Sequence, residues 1–553
     1  MAKEEILQQK DRWLNDYESE LEHSAERCTD SGISVDPLYT PGINSEKEYL
    51  ERLGFPGKSP FTRGVYSTMY RGRPWTIRQL AGYGTAEDTN ERYRMLLKQG
   101  SDAINAVFDY PTLRGYDSDN PAVEGDIGQG GVAVDTIEDM LVLFDNIPID
   151  RVSVSLVACN PVMSATIMAM YLAVAESRGI SPEKLAGTIQ NDFLMETMAT
   201  TAPDILEPAL SFRLSTDIVA YCAEHVPRWN PISYTGYNYR ESGANAVQEV
   251  GLVMAHAFGT IEEMLSRGYS VDQFVPRLSF FLSSHNDFFE EVAKFRAARR
   301  VWFKLMQERY SPKDQRSLRF RYHVQTAGVS LTAQQPLNNI SRSAYQALAA
   351  VMGGAQSIHV DGFDEALSIP SNLSALTALR TQQILQNETN VTSTIDPLGG
   401  SYFVEQLTDQ MEQKITQYID TVANQGGIVK AVETGWVHQE IRRSAYKEQL
   451  AIENGTKKVV GVNCFNDCDE EEESVELFRV PETLSRQKAR LLKVKETRSL
   501  EEVNKALTEV EIVIKSGDNV LPALLAAVKA RTTVGEIADV FRSISGSWKM
   551  PLY

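Results

Sequence analysis

The sequence predicts an α/β protein, a (β/α)8 barrel with an N-terminal arm and a small C-terminal helical domain. Three observations lead there. Eight short β-prone runs alternate with longer amphipathic helical stretches between residues 74 and 360, as repeated parallel β–α units do. Each gap between runs is long enough for a helical crossover. The alternate positions of most runs are polar, and alternate positions share one face of a strand. A doubly wound open sheet has the same alternation and is the competing architecture.

The runs, in order, are Trp75–Gln79, Ala103–Asp109, Val152–Val157, Ala186–Asn191, Ile232–Tyr237, Leu278–Ser283, Phe320–Gln325 and Ser357–Val360. Their polar pairs are Thr76 and Arg78, Ser153 and Ser155, Thr188 and Gln190, Ser233 and Thr235, His323 and Gln325, Ser357 and His359. An ordinary barrel fills its centre with Val, Ile and Leu. Burying these pairs dry would cost ~1–3 kcal/mol for each unpaired hydroxyl or amide. An axial space holding a long, hydrogen-bonding ligand removes that cost, and small Ser and Thr side chains leave room for it. The alternative turns the same faces outward beneath the helices.

Four segments follow: an N-terminal helix and arm over 1–60, the barrel over 61–465, an acidic linker over 466–480 and a helical domain over 481–553. Residues 2–27 read as a charged helix with Ile6, Trp13, Leu14, Tyr17 and Leu21 on one stripe. It either caps its own core or lies on a partner subunit. The prolines at 37, 41, 56 and 60 suggest an extended connection over 28–60. Beyond Gly399-Gly400-Ser401 the chain reads as helical to about 453, and Asp467 to Glu473 as a solvated linker. Thr533-x-x-Glu536 has the form of a capping box opening the last helix.

The chain has 553 residues and a net charge of −19, which argues against a nucleic-acid or anionic-membrane surface. No apolar run approaches the ~18 residues that span a bilayer, and the acidic N-terminus is no targeting peptide. Five scattered cysteines fit a reducing compartment rather than a disulfide framework. A cytoplasmic protein is expected. No metal site is expected either: Cys464 and Cys468 have no histidine nearby. Gly-Gln-Gly-Gly at 128–131 reads only as a flexible loop.

The densest constellation is Tyr66-Ser-Thr68-Met69-Tyr-Arg71-Gly-Arg73-Pro74-Trp75-Thr76-Ile-Arg78-Gln79. Arginines set among aromatics in an acidic chain suggest an anionic ligand, since the guanidinium fork matches phosphate. Surface salt bridging is the alternative. This segment resembles the coenzyme-A-binding region of the methylmalonyl-CoA mutase family of adenosylcobalamin-dependent acyl-CoA mutases. The resemblance continues through Phe108-Asp109, Arg114-Gly-Tyr-Asp-Ser-Asp119, Leu185-Ala-Gly-Thr-Ile-Gln-Asn-Asp192, Arg277-Leu-Ser-Phe-Phe281, Ser330-Leu-Thr-Ala-Gln334 and Ile395-Asp-Pro-Leu-Gly-Gly-Ser401. It covers roughly residues 40–465, and the large subunits of isobutyryl-CoA mutase type are similar through the tail as well.

The resemblance implies a barrel with the pantetheine chain of an acyl-CoA along its axis. It implies that Tyr66, Thr68, Met69, Arg73, Thr76, Arg78, Ser155, Thr188, Gln190, Arg277, Ser279 and Gln356 contact the CoA moiety. It places His323 and Gln325 deeper, near the thioester, together with the pair Tyr237-Asn238. It implies that Glu365, with Ala366 beside it, holds the adenosyl ribose, and that Phe108 faces the corrin. The implied reaction is a radical 1,2-rearrangement of the acyl carbon skeleton, in which the cofactor does the hard chemistry and the protein orients and shields.

Departures from the family pattern carry the finer expectations. The family's cobalamin-binding domain has Asp-x-His-x-x-Gly, whose histidine ligates cobalt, and none of the seven histidines here sits in that pattern. A separate small cobalamin-binding subunit is therefore expected at the barrel's C-terminal mouth, in a hetero-oligomer, with a G-protein chaperone as a further expected partner. The tyrosine that methylmalonyl enzymes place over the acyl group is Leu80, and the arginine that pairs with their substrate's carboxylate is Thr200. The aspartate of 2-hydroxyisobutyryl enzymes is Val107. The expected substrate is a carboxylate-free acyl-CoA: isobutyryl-CoA/butyryl-CoA, or a bulkier branched acyl such as pivalyl-CoA. The alternatives are a methylmalonyl-CoA/succinyl-CoA or 2-hydroxyisobutyryl-CoA mutase large subunit, and a non-catalytic CoA-binding scaffold. Asn238 stands where the family has a histidine that donates to the thioester carbonyl, and an amide can donate but cannot act as an acid.

Overall fold

A computed structural model of the chain describes residues 29–34, 46–195, 206–466, 482–546 and 548–551, with the single positions 478 and 480. The helix expected at 2–27, the linker over 467–477 and Thr200 lie outside the described residues. The described chain is a mixed α/β structure, mostly helical, with ten short strands. These are β1 (Thr76–Ile77), β2 (Leu80–Ala81), β3 (Ala103–Val107), β4 (Ser153–Val157), β5 (Gly187–Ile189), β6 (Trp229–Asn230), β7 (Ser233–Thr235), β8 (Ser279–Ser284), β9 (Tyr322–Thr326) and β10 (Ser357–His359).

Every pairing between them is parallel. One sheet has the order β2-β3-β4-β5-β6 and the other β1-β10-β9-β8-β7. Two extended runs are shared between the sheets. Residues 76–81 pair with β10 through β1 and with β3 through β2. Residues 229–235 pair with β5 through β6 and with β8 through β7. The second run breaks at Pro231, which has no N–H to give a ladder. Across that break Ser233 N still donates to Gln190 O, just beyond β5.

The strands follow the sequence expectation with shorter ends, two additions and one correction; β2 and β6 lie outside the expected runs. Tyr237, expected in the fifth strand, lies in the helix Gly236–Glu241. The ladder stops because the Asp192 carboxylate takes the Thr235 N–H at 2.6 Å. Residues 28–60 are likewise not wholly extended, since Glu46–Arg52 is a helix.

Helix boundaries have local causes. Asn160 caps Pro161–Ser177, accepting from Val162 N and Met163 N, with proline at the first turn. This helix is apolar on every side, and Pro161 through Ala175 are all buried. It is enclosed because sheet, neighbouring helices and the C-terminal helices all pack on the same core. One large core surrounds β7–β9 and the helices Ala246–Ser266, Phe288–Tyr310 and Tyr402–Asn424. A second surrounds β3–β5 and takes in Val510, Leu521, Leu524, Val528, Ile537 and Phe541 from the tail. Each such side chain contributes about 1.5–3 kcal/mol by leaving water. The tail is also tied by polar bonds: Gln487 Nε2 donates to Asp135 and Asp139 at 2.8 and 2.9 Å. The capping box at Thr533 and Glu536 forms as its sequence suggests.

Candidate active site

A cavity of about 140 Å³ lies between the two sheets and is lined from both. The strand alternation builds it. In β4, Val154 and Leu156 are buried, while Ser153, Ser155 and Val157 are half-buried on the other face. The lining includes Arg78, Leu80, Ser155, Thr188, Gln190, Ser233, Ser279, His323, Gln356 and Ser357. The polar faces therefore point at an internal space, and the outward-facing alternative fails for these positions. Asn105, Asn230 and Arg321 line it too and were missed in the sequence. Asn105 and Arg321 alternate with Val107 and His323, which was the available signal.

The lining is short of partners. Gln190 Oε1, His323 Nε2 and Arg78 Nε are enclosed without a hydrogen bond among the described residues. Arg78 does donate from Nη2 to Ser153 Oγ at 2.8 Å. Burial alone pulls its pKa down to about 10. Burial, then the charge of Arg78, holds His323 well below the usual histidine range, so its ring is neutral. His323 Nδ1 meets Ser357 Oγ at 2.8 Å, leaving Nε2 available toward the cavity.

Arginines gather at the amino ends of the strands. Arg321 precedes β9, Arg277 precedes β8 and Arg228 precedes β6. Burial, then Arg321, Arg316 and Arg228, lower the Arg277 pKa. Tyr66 is exposed at the cavity edge, with the Arg319 guanidinium 5.9 Å from its ring centre. Arg277 lies outside the cavity, in a neighbouring 230 Å³ recess with Trp229, Phe274 and Arg316. Thr68 and Arg73 are exposed, Thr76 is half-buried and Met69 is buried at φ +40°; none of the four lines the cavity.

At the carboxyl ends lies a second layer. Gln325 is buried and donates to Tyr237 Oη at 2.9 Å and Asp361 Oδ1 at 2.7 Å. Tyr237 stacks on Phe281 at 5.1 Å, and Phe281 lines the cavity. Asn238 is half-buried on the same helix. Glu365 is half-buried, and burial followed by Asp361 and Glu241 raises its pKa. Ala366 is exposed beside it. Thr235 is fully buried rather than facing the cavity. Phe108 is only 1 % exposed, in the core beside Val132.

The loop at 128–131 is fastened, not free. Gly128 N donates to Asp109 Oδ2 at 2.7 Å, while Asp109 Oδ1 caps the helix Tyr110–Arg114. Burial raises the Asp109 pKa from 3.8 to about 7. The folded chain thus holds this proton to higher pH than the unfolded chain, and the stability it contributes falls as pH rises from 3.8 to about 7. Relative to Asp109→Asn, the wild-type urea midpoint is expected to decline across that window and to level off above it. A difference independent of pH would contradict this account.

The site is thus a hydrogen-bonding internal space with arginines at the amino ends of its strands. Comparison with known proteins gives its family. Residues 28–547 match the sequence profile of the family described as methylmalonyl-CoA mutase, and the chain belongs to that family. It is 43% identical over 503 residues to the 2-hydroxyisobutanoyl-CoA mutase large subunit of Aquincola tertiaricarbonis, covering 90% of this chain and 89% of that one. It is 43% identical over 542 residues to a methylmalonyl-CoA mutase of Rhizobium meliloti (strain 1021), covering 97% and 75%. The mitochondrial methylmalonyl-CoA mutase of Homo sapiens is 41% identical over 524 residues, covering 94% and 69%. These relatives are acyl-CoA mutases, which are isomerases.

Proposed function

We propose that the chain is the substrate-binding large subunit of an adenosylcobalamin-dependent acyl-CoA mutase. Its substrate is a carboxylate-free acyl-CoA, isobutyryl-CoA/butyryl-CoA or a bulkier branched acyl such as pivalyl-CoA. The observation that carries this reading is the cavity lined by hydroxyls and amides from both sheets. In this reading the two sheets are halves of one (β/α)8 barrel, closed through the shared runs 76–81 and 229–235. The barrel axis takes pantetheine, and the arginines at the amino ends take the CoA phosphates. Tyr66, Arg78, Ser155, Thr188, Gln190, Ser279 and Gln356 face pantetheine, with Thr68, Met69, Arg73, Thr76 and Arg277 around the nucleotide end. His323, Gln325, Tyr237 and Asn238 surround the thioester. Leu80 at the cavity wall gives the acyl group an apolar setting, and Thr200 carries no charge to pair with a carboxylate.

The carboxyl ends suit a flat cofactor and a second protein. Exposed apolar side chains follow four strands there: Tyr110 (52 %), Phe289 (42 %), Val329 (54 %) and Leu367 (39 %). Gly328 brings backbone close to the acids, since a Cβ there would meet Glu241 Oε2 and Tyr237 Oη at 3.1 Å. Glu365 and Ala366 would hold the adenosyl group. When bound, adenosylcobalamin supplies a carbon-centred radical by cobalt–carbon homolysis. The chain's own groups hold the thioester, exclude water and keep polar hydrogens directed. A separate small subunit would bring the cobalt ligand, completing a hetero-oligomer, and a G-protein chaperone would serve loading. No helix among the described residues is long and apolar enough to cross a membrane. We place the protein in the cytoplasm, where the thiols of Cys159, Cys222 and Cys464 stay reduced.

The test mixes the purified chain with a cognate cobalamin subunit, adenosylcobalamin and a panel of acyl-CoAs. Isomerisation of isobutyryl-CoA or a bulkier branched acyl-CoA is expected; silence toward every acyl-CoA would overturn the reading. Asn238 favours a second reading, a barrel that binds CoA without chemistry. That reading expects acyl-CoA affinity with no turnover.

A further inference from the structure

We propose that Asp361 is a positioning residue which, through Gln325, commits the Tyr237 hydroxyl to donate its hydrogen to the thioester carbonyl of the acyl-CoA. The inference rests on the reading of the cavity as an acyl-CoA channel. It assigns to Tyr237 the donor role that the family's histidine, here Asn238, would otherwise fill.

The polarity of the hydrogen bonds supports the assignment. Asp361 Oδ1 accepts from the Gln325 amide nitrogen at 2.7 Å and so orients that nitrogen inward. The second hydrogen of that nitrogen goes to Tyr237 Oη at 2.9 Å. A phenol oxygen that accepts from Gln325 keeps its own hydrogen to give. Among the described residues that hydrogen has no acceptor. Burial, with the charges of Asp361, Glu241 and Glu365, raises the Tyr237 pKa, so the group stays a protonated donor.

Asp361 is itself fixed. Thr326 Oγ1 donates to its Oδ2 at 2.8 Å, and its own N–H donates to Thr326 Oγ1 at 2.9 Å. His359 Nε2 stands 3.2 Å from Oδ1, and His359 Nδ1 is 2.6 Å from Gln79 Oε1. The lock therefore runs from Thr326 through Asp361 and Gln325 to Tyr237. It ends one ring from the cavity, because Tyr237 lies flat on Phe281 and Phe281 sits 5.0 Å from His323.

The experiment uses the full chain with isobutyryl-CoA carrying ¹³C at the thioester carbon, without cobalamin. Calorimetry reads binding, and isotope-edited infrared difference spectroscopy reads the carbonyl. A carbonyl shifted to lower frequency is expected for wild type. The shift should vanish in Tyr237→Phe and Asp361→Ala, and persist in Asp361→Asn, whose amide oxygen still accepts from Gln325. With the cobalamin subunit added, the first two variants should lose roughly ten- to hundredfold in kcat with KM nearly unchanged, as for a lost carbonyl-polarising donor. Failure of isobutyryl-CoA and every other acyl-CoA to bind wild type would overturn the functional reading instead. Binding with an unshifted carbonyl, a shift that survives Tyr237→Phe, or Asp361→Asn behaving like Asp361→Ala would each overturn this inference.

Discussion

Replacing Arg78 with methionine is expected to lower kcat/KM for the acyl-CoA substrate by roughly ten- to hundredfold, the worth of a hydrogen bond to a charged group. Arg78 points into the cavity, makes one bond to Ser153 and keeps its Nε enclosed without a partner. No carboxylate offsets the burial that pulls its pKa down to about 10. A cation held this way is unfavourable in the empty chain and is relieved when ligand oxygen arrives. The methionine variant should therefore unfold at an equal or higher urea concentration while losing affinity. Calorimetry with the acyl-CoA and a urea titration measure the two effects. Unchanged affinity would remove Arg78 from the ligand path.

The second large effect concerns substrate choice. Wild type is expected to prefer isobutyryl-CoA to methylmalonyl-CoA by at least roughly a hundredfold in kcat/KM, because leaving a buried carboxylate unpaired costs about 3–5 kcal/mol. Leu80 offers the acyl group no hydrogen bond, and Thr200 offers no charge. Leu80→Tyr with Thr200→Arg should narrow or invert that preference, by pairing the carboxylate and narrowing the space above it. Both substitutions act on the same acyl group, so the double variant is expected to exceed the sum of the singles. Competition between the two acyl-CoAs in one assay reads the ratio directly. A wild type that already favours the dicarboxylic substrate would refute the apolar pocket.

Much of this was legible before any coordinates. Period-two alternation showed which faces of β4, β5 and β9 line the cavity, because side-chain direction along a strand is local geometry. Thr533 announced its helix, because a cap is a contact within one turn. What could not be seen involved partners far apart in the chain. Tyr237 looked like strand; a carboxylate 43 positions or more away, at Asp192, takes the Thr235 N–H and ends the ladder. Gly128–Gly131 looked loose, and Asp109 fastens it. Phe108, expected to face a ligand, is instead sealed in the core.

The sequence by itself determined the parallel β–α order, the polar strand faces, the arginine-rich opening and the kinship with acyl-CoA mutases. Each of these is written in short spacings or in long runs of residue identity. Only the tertiary structure decided that those faces share one internal space, and that Asp361, Gln325 and Tyr237 form a one-way chain of hydrogen bonds. Donor and acceptor roles depend on which groups meet, and groups 88 positions apart in the chain meet only once the sheets have formed.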